Sequence, residues 1–156
     1  MSRLTPVTEL TMEEFLADEQ RVAASKYYLI VATEAAIDIC NHLVARLTGR
    51  APNSYAECFN ILSGEHFLSP PLAERLIQMA KFRNLLIHRY VDIDDSKVYH
   101  IICNNLDDLE LYLAEIAAMV KMRALTIRKE WFYAQSIFPA GKGTPTGLPA
   151  GRPPAG

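Results

Sequence analysis

Residues 30–49 read IVATEAAIDICNHLVARLTG, and this stretch decides the fold class. Ile30, Thr33, Ile37, Cys40, Val44 and Leu47 recur at alternating steps of three and four. That spacing lays one face of an α-helix against a core. Upstream, Thr11 and Glu14 have the form of a capping box that opens the helix. Downstream, Gly49 stops it and Pro52 follows.

The same punctuation continues outward. Ser54 and Glu57 form a second capping box, which predicts a short helix burying Tyr55, Cys58, Phe59 and Leu62 and ending at Gly64. Ser69-Pro70-Pro71 places a cap before prolines in a first turn, and Leu72, Leu76, Met79, Phe82 and Leu86 continue as the buried stripe. Asp94-Asp95-Ser96 opens a run carrying Val98, Ile101 and Ile102, with a break at Asn104-Asn105. A last long helix is predicted to bury Leu106, Leu109, Leu113, Ile116 and Val120 and to fray from Thr126 to Phe138. No segment alternates as a strand does. The expected architecture is all-α, an antiparallel bundle of four to five helices over residues 1–138. From Pro139 to Gly156 the chain is mostly Gly, Pro, Thr and Ala, and a disordered tail is expected.

The chain has 156 residues, half of them hydrophobic, and a formal net charge of −2, which fits one soluble globular domain and no general polyanion binder. Nucleic-acid contact would need a local basic patch. Cys40, Cys58 and Cys103 form no CxxC pair, and their apolar helical contexts predict three buried free thiols and a reducing compartment. The first twenty residues are too polar and acidic for a signal peptide, and the apolar run Tyr27–Cys40 carries Glu34 and Asp38 and is too short to span a bilayer. A cytoplasmic protein is expected.

The chemistry concentrates in Arg83-Asn84-Leu85-Leu86-Ile87-His88-Arg89-Tyr90. Arg offers a planar cationic fork suited to phosphate oxygens. His is the side chain whose charge changes near neutral pH, so it can move a proton. Five residues of helix turn through about 500°, so Arg83 and His88 diverge by about 140°. They can serve one site only if the helix end unwinds or a second copy supplies part of it. Taken alone, His88 reads as a helix C-terminal cation and Arg83 as a surface or ion-paired residue.

The wider context adds a resemblance. Phe82 to Tyr90, followed by Asp92-Ile93-Asp94-Asp95 and Lys97-Val98-Tyr99, resembles the HepT toxin family of the HEPN superfamily. So do Glu34–Ile39 with Asn41-His42, and Ser54–Leu62. The likeness runs from about Glu19 to Glu115, and the Arg-x4-His-x-Tyr pattern is complete. It implies a homodimeric helical bundle in which two Arg-x4-His motifs face each other as one metal-independent endoribonuclease site. It also implies the toxin role in a type VII-like toxin–antitoxin pair. The expected partner is a minimal nucleotidyltransferase antitoxin, MntA-like, that adds AMP to Tyr90. On this reading Arg83, Asn84 and His88 are catalytic, and Glu34, Asp38 and Arg89 support them. Tyr90 is the regulatory site, RNA is the substrate, and no cofactor is used.

Glu34, Asp38, Asn41 and His42 share one broad helical face; the resemblance implies that it lies near the active cleft with Asp38 orienting a catalytic residue, and a solvated or interface face is an equal alternative. Glu-x-x-His pairs on two helices, the usual bundle metal site, are not part of the pattern, so no metal is expected. Lys121, Arg123, Arg128 and Lys129 read first as a solvated face and second as an RNA-guiding patch. The alternative to an enzyme is a non-catalytic HEPN module that binds a nucleotide or RNA and scaffolds a nucleotidyltransferase.

Overall fold

The computed structural model describes residues 4–137. The tail expected from Pro139 lies outside them. After a 3₁₀ turn, Thr5–Glu9, six α-helices follow: α1 Met12–Leu16, α2 Glu19–Thr48, α3 Tyr55–Gly64, α4 Pro70–His88, α5 Asp95–Asn105 and α6 Asp107–Ile137. No strand occurs among the described residues. The class is all-α as the periodicity predicts, with one more α-helix than the upper count.

The extra helix comes from a break the periodicity does not reveal. Thr11 and Glu14 do form a reciprocal capping box, but the helix they open ends after Leu16. Asp18 then accepts a hydrogen bond from the Arg21 amide and caps a new helix, α2. Gly49 closes α2 in the left-handed region, φ +73°, and its N–H reaches the Ala45 carbonyl at 2.9 Å. A side chain would strain that conformation.

Residues 4–119 form one compact unit with two cores. The first gathers Ile37, Cys40 and Val44 of α2, Cys58, Phe59 and Leu62 of α3, Leu72 and Leu76 of α4, and Leu109, Tyr112 and Ile116 of α6. The second gathers Leu4, Val7 and Phe15 with Val22 and Leu29 of α2, Leu86 of α4, and Val98 and Ile102 of α5. Full burial of a side chain such as Phe59 or Leu62 contributes about 1.5–3 kcal/mol. The end of α4 that carries His88 therefore rests on the second core through Leu86.

Several expected core positions shift by one residue. On α2 the buried stripe runs through Val22, Lys26, Leu29, Thr33, Ile37, Cys40 and Val44; Ile30 and Leu47 are only half-buried. On α6, Leu113 and Val120 are exposed, and Tyr112 fills the core position, its hydroxyl donating to the Ala36 carbonyl at 3.1 Å. Burial pushes that phenol's pKa far above its ordinary value. Ser69 stands at the N-cap of α4, yet it makes no side-chain cap bond. Its amide and hydroxyl both donate to Glu115 of α6, at 2.7 and 2.9 Å, which pins the start of α4.

The cysteine expectation is overturned. Cys40 and Cys58 are fully buried but joined as a disulfide between α2 and α3, with Cα atoms 6.1 Å apart, and Cys103 is exposed. The α2–α3 hairpin brings together two cysteines 18 residues apart, which spacing alone does not reveal. The length argument against a membrane span also fails. α2 has 30 residues and is apolar enough to cross a bilayer, but its buried stripe packs within the two cores.

Among the described residues, 120–137 belong to a second unit. There the helix continues to Ile137 without the fraying expected from Thr126. Ala124, Leu125, Arg128, Lys129 and Glu130 are strong helix formers. Lys121, Arg123, Arg128 and Lys129 are exposed.

Candidate functional site

α2 and α4 run antiparallel here, and three contacts fix their register. Glu34 of α2 forms an ion pair with Arg83 of α4. Lys26, two turns earlier on α2, donates to the Tyr90 carbonyl at 3.2 Å. Almost one turn earlier again, the Ala23 carbonyl accepts the Tyr90 hydroxyl at 3.2 Å. The candidate motif thus lies along α2 from Glu34 to Ala23.

Arg83 sits in the crevice where α2, α3 and α4 meet, its side chain 15% exposed. One guanidinium nitrogen meets Glu34, and another donates to Asn84 Oδ1 at 2.9 Å. The guanidinium carbon stands 5.9 Å from the centroid of the Tyr55 ring on α3. Nε is buried without a hydrogen-bond partner among the described residues. Carboxylate, amide and ring hold the fork in one orientation, which lowers the entropy lost when it grips a ligand oxygen. Asn84 therefore orients Arg83 in this arrangement.

His88 is the last residue of α4 and is exposed. The helix does not unwind before it: the Arg89 amide still donates to the Leu85 carbonyl at 2.8 Å. The divergence of about 140° from Arg83 therefore stands within one chain. Arg89 is exposed and reaches Asp92 at 3.5 Å, an exposed pair worth at most about 1 kcal/mol. Asp38 is exposed one turn beyond Glu34; the carboxylate that meets Arg83 is that of Glu34.

Two residues that the sequence reading passed over belong to this region. The Tyr55 ring faces the Arg83 guanidinium, and Lys26 is 6% exposed beside Tyr90. Lys26 pairs with Asp95 Oδ1 at 2.6 Å and stands 4.9 Å from the Tyr90 ring centroid. Its signal was present: Lys26 falls four residues after Val22 and three before Leu29, on the buried stripe. A cavity of about 370 Å³ lies on another side of α4, lined by Met79, Phe82, Leu86 and Ile101 among others, and it includes none of Arg83, His88 and Tyr90.

Several exposed apolar side chains accompany the charged ones near the motif. Tyr27 and Val31 on α2, Ile87 on α4 and Val91 just past it are all exposed, Val91 to 90%. Single exposed apolar residues are ordinary; these four lie on or next to the two helices that carry the motif.

Comparison with known proteins places this geometry. Residues 1–116 match the family described as Ribonuclease HepT-like. A tRNA nuclease HepT of Aphanizomenon flos-aquae is 28% identical over 116 residues, covering 74% of this chain and 79% of that protein. An mRNA nuclease HepT of Shewanella oneidensis is 31% identical over 85 residues, 54% of this chain and 64% of that one. Among solved structures, the tri-AMPylated Shewanella oneidensis HEPN toxin in complex with MNT antitoxin superposes with a TM-score of 0.68 at 26% identity, covering 75% of this chain and 87% of that one. A toxin–antitoxin MntA–HpeT mutant gives 0.66 at 26% identity, covering 75% and 88%. With the match spanning most of the folded residues and the whole of the Arg83–Tyr90 segment, this chain belongs to the HepT-like ribonuclease family.

Proposed function

We propose that this chain is a metal-independent endoribonuclease toxin of the cytoplasm, active as a homodimer and silenced by AMPylation of Tyr90. The partner is a nucleotidyltransferase antitoxin of the MntA type. The observation that carries this reading is the Arg83 fork, held by Glu34, Asn84 and Tyr55 and followed by an exposed His88 on the same helix. The named nuclease relatives and the antitoxin-bound structural neighbours support it.

A second copy supplies what one chain lacks. The exposed apolar residues beside the motif, Tyr27, Val31, Ile87 and Val91, are the surface two copies would cover. Around a two-fold axis the two helix ends would present two histidines and two arginines to one phosphodiester. One His88 takes the proton of the RNA 2′-hydroxyl as its oxygen bonds to phosphorus. The bond from phosphorus to the 5′-oxygen breaks, and the other His88 protonates that leaving oxygen. The products are a 2′,3′-cyclic phosphate and a 5′-hydroxyl. Arg83 stabilises the charge that gathers on the non-bridging oxygens. Asn84 and Glu34 keep the guanidinium aimed, and Arg89 raises the local positive field; Asp38 is left with the weaker role of shaping that field from α2. The chain is close to neutral overall, so RNA contact depends on this local cationic patch.

The purified protein is expected to cut RNA in excess EDTA at the rate seen without chelator, with cyclic phosphate ends on the products. Cleavage abolished by EDTA and restored by a divalent cation contradicts metal independence. RNA binding without turnover under any condition favours the non-catalytic scaffold instead.

A further inference from the structure

Lys26 is a charged residue on the buried stripe of α2, where Val22, Leu29 and Thr33 are its neighbours in register. A buried ammonium is costly unless its donors are used. Here its nitrogen meets Asp95 Oδ1 at 2.6 Å and the Tyr90 carbonyl at 3.2 Å, and faces the Tyr90 ring at 4.9 Å from the centroid. Two of its three contacts are thus to one residue, the first after the C-cap of α4. The Tyr90 hydroxyl in turn donates to the Ala23 carbonyl. Main chain, ring and hydroxyl of Tyr90 are all seated on one stretch of α2.

Nucleotide transfer to Tyr90 is incompatible with that seat. Tyr90 Oη bonds to the α-phosphorus of ATP, the bond from that phosphorus to the bridging oxygen breaks, pyrophosphate leaves, and the phenolic proton passes to solvent. The resulting ester oxygen has no proton to give, so it faces the Ala23 carbonyl as acceptor against acceptor. The Tyr90 oxygen must therefore turn away from the Ala23 carbonyl, while the Tyr90 carbonyl remains gripped by Lys26. A phosphodiester anion thus arrives on the side chain whose ring the ammonium already faces. We infer that Lys26 is the positioning cation of this switch: it fixes Tyr90 against α2 before modification and binds the phosphodiester afterwards, holding the nucleotide over the site. The inference rests on the reading of Tyr90 as the modified residue. Asp95 competes with the phosphodiester for the same ammonium.

The test uses the full chain with its nucleotidyltransferase and ATP, in wild type, Lys26→Met, Lys26→Arg and Asp95→Asn. Mass spectrometry locates the AMP. RNA cleavage by each modified protein is compared with its own unmodified form, and the rate at which a phosphodiesterase strips the AMP is measured. Modified Lys26→Met should keep about a tenth of its activity, where modified wild type keeps about a hundredth, and should lose AMP about tenfold faster than wild type, the strength of one charge-assisted hydrogen bond. Lys26→Arg should restore silencing, and Asp95→Asn should lose AMP a few-fold more slowly than wild type. Equal silencing and equal stripping rates in wild type and Lys26→Met overturn the inference while leaving Tyr90 as the modified residue. Should Lys26→Met not fold, an unchanged stripping rate in Asp95→Asn overturns it. Wild type that never gains AMP on Tyr90 removes the reading beneath it, and the wild-type arm alone reports that.

Discussion

His88→Ala should lower RNA cleavage by roughly 100- to 10,000-fold, the usual contribution of a positioned acid–base group. The fold should be nearly untouched. His88 is exposed on the last turn of α4, so its removal costs only the interaction of a cation with the helix end, about 1 kcal/mol or less. Single-turnover cleavage and denaturant unfolding on the same preparations separate the two effects. A histidine that merely capped the helix would give the opposite pattern, a small stability loss with turnover intact. Arg83→Ala should also fall by roughly 100- to 1,000-fold, because in the proposed mechanism it removes the donor to the phosphate. It also leaves Glu34 without its partner, and Arg83→Lys should not rescue it, since a point charge cannot reproduce a fork held by Glu34, Asn84 and Tyr55.

Tyr90→Phe should escape its partner altogether. With the nucleotidyltransferase and ATP present, wild-type cleavage should decline as AMP accumulates, and Tyr90→Phe should hold its initial rate. The gap should reach roughly 100-fold, because placing an anion where an RNA phosphate must sit costs several kcal/mol. The substitution itself removes only the hydroxyl bond to the Ala23 carbonyl, about 1 kcal/mol, and leaves the ring that Lys26 faces. Time courses of cleavage, with intact-mass measurement of each sample, check this. Parallel decline of the two proteins would place the regulatory group elsewhere.

The parts of the fold written in local chemistry were legible. Ser54 with Glu57 starts α3, and Pro70-Pro71 opens α4, because caps and prolines act within a single turn. The Arg83–His88 divergence was legible too, since it depends only on helix geometry and α4 stays regular to its end. Pairings across helices were not. Nothing near Glu34 in sequence says that it, rather than Asp38, meets Arg83; the choice depends on the register of α2 against α4. Cys40 and Cys58 meet for the same reason. Tyr112 displaces Leu113 from the core because its hydroxyl finds the Ala36 carbonyl, so a polar atom does not bar it from burial. Lys26 escaped notice because a lysine on an apolar helix is expected to carry its charge to solvent, whereas here Asp95 and Tyr90 receive it inside.

A heterodimer with one wild-type copy and one Arg83→Ala/His88→Ala copy, purified through two different tags, tests the shared site most directly. With both helix ends serving one phosphodiester, its cleavage rate should fall below about a tenth of the wild-type dimer's. Half the wild-type rate would mean that each copy carries a complete site of its own, and the account given for Arg83 and His88 would be wrong.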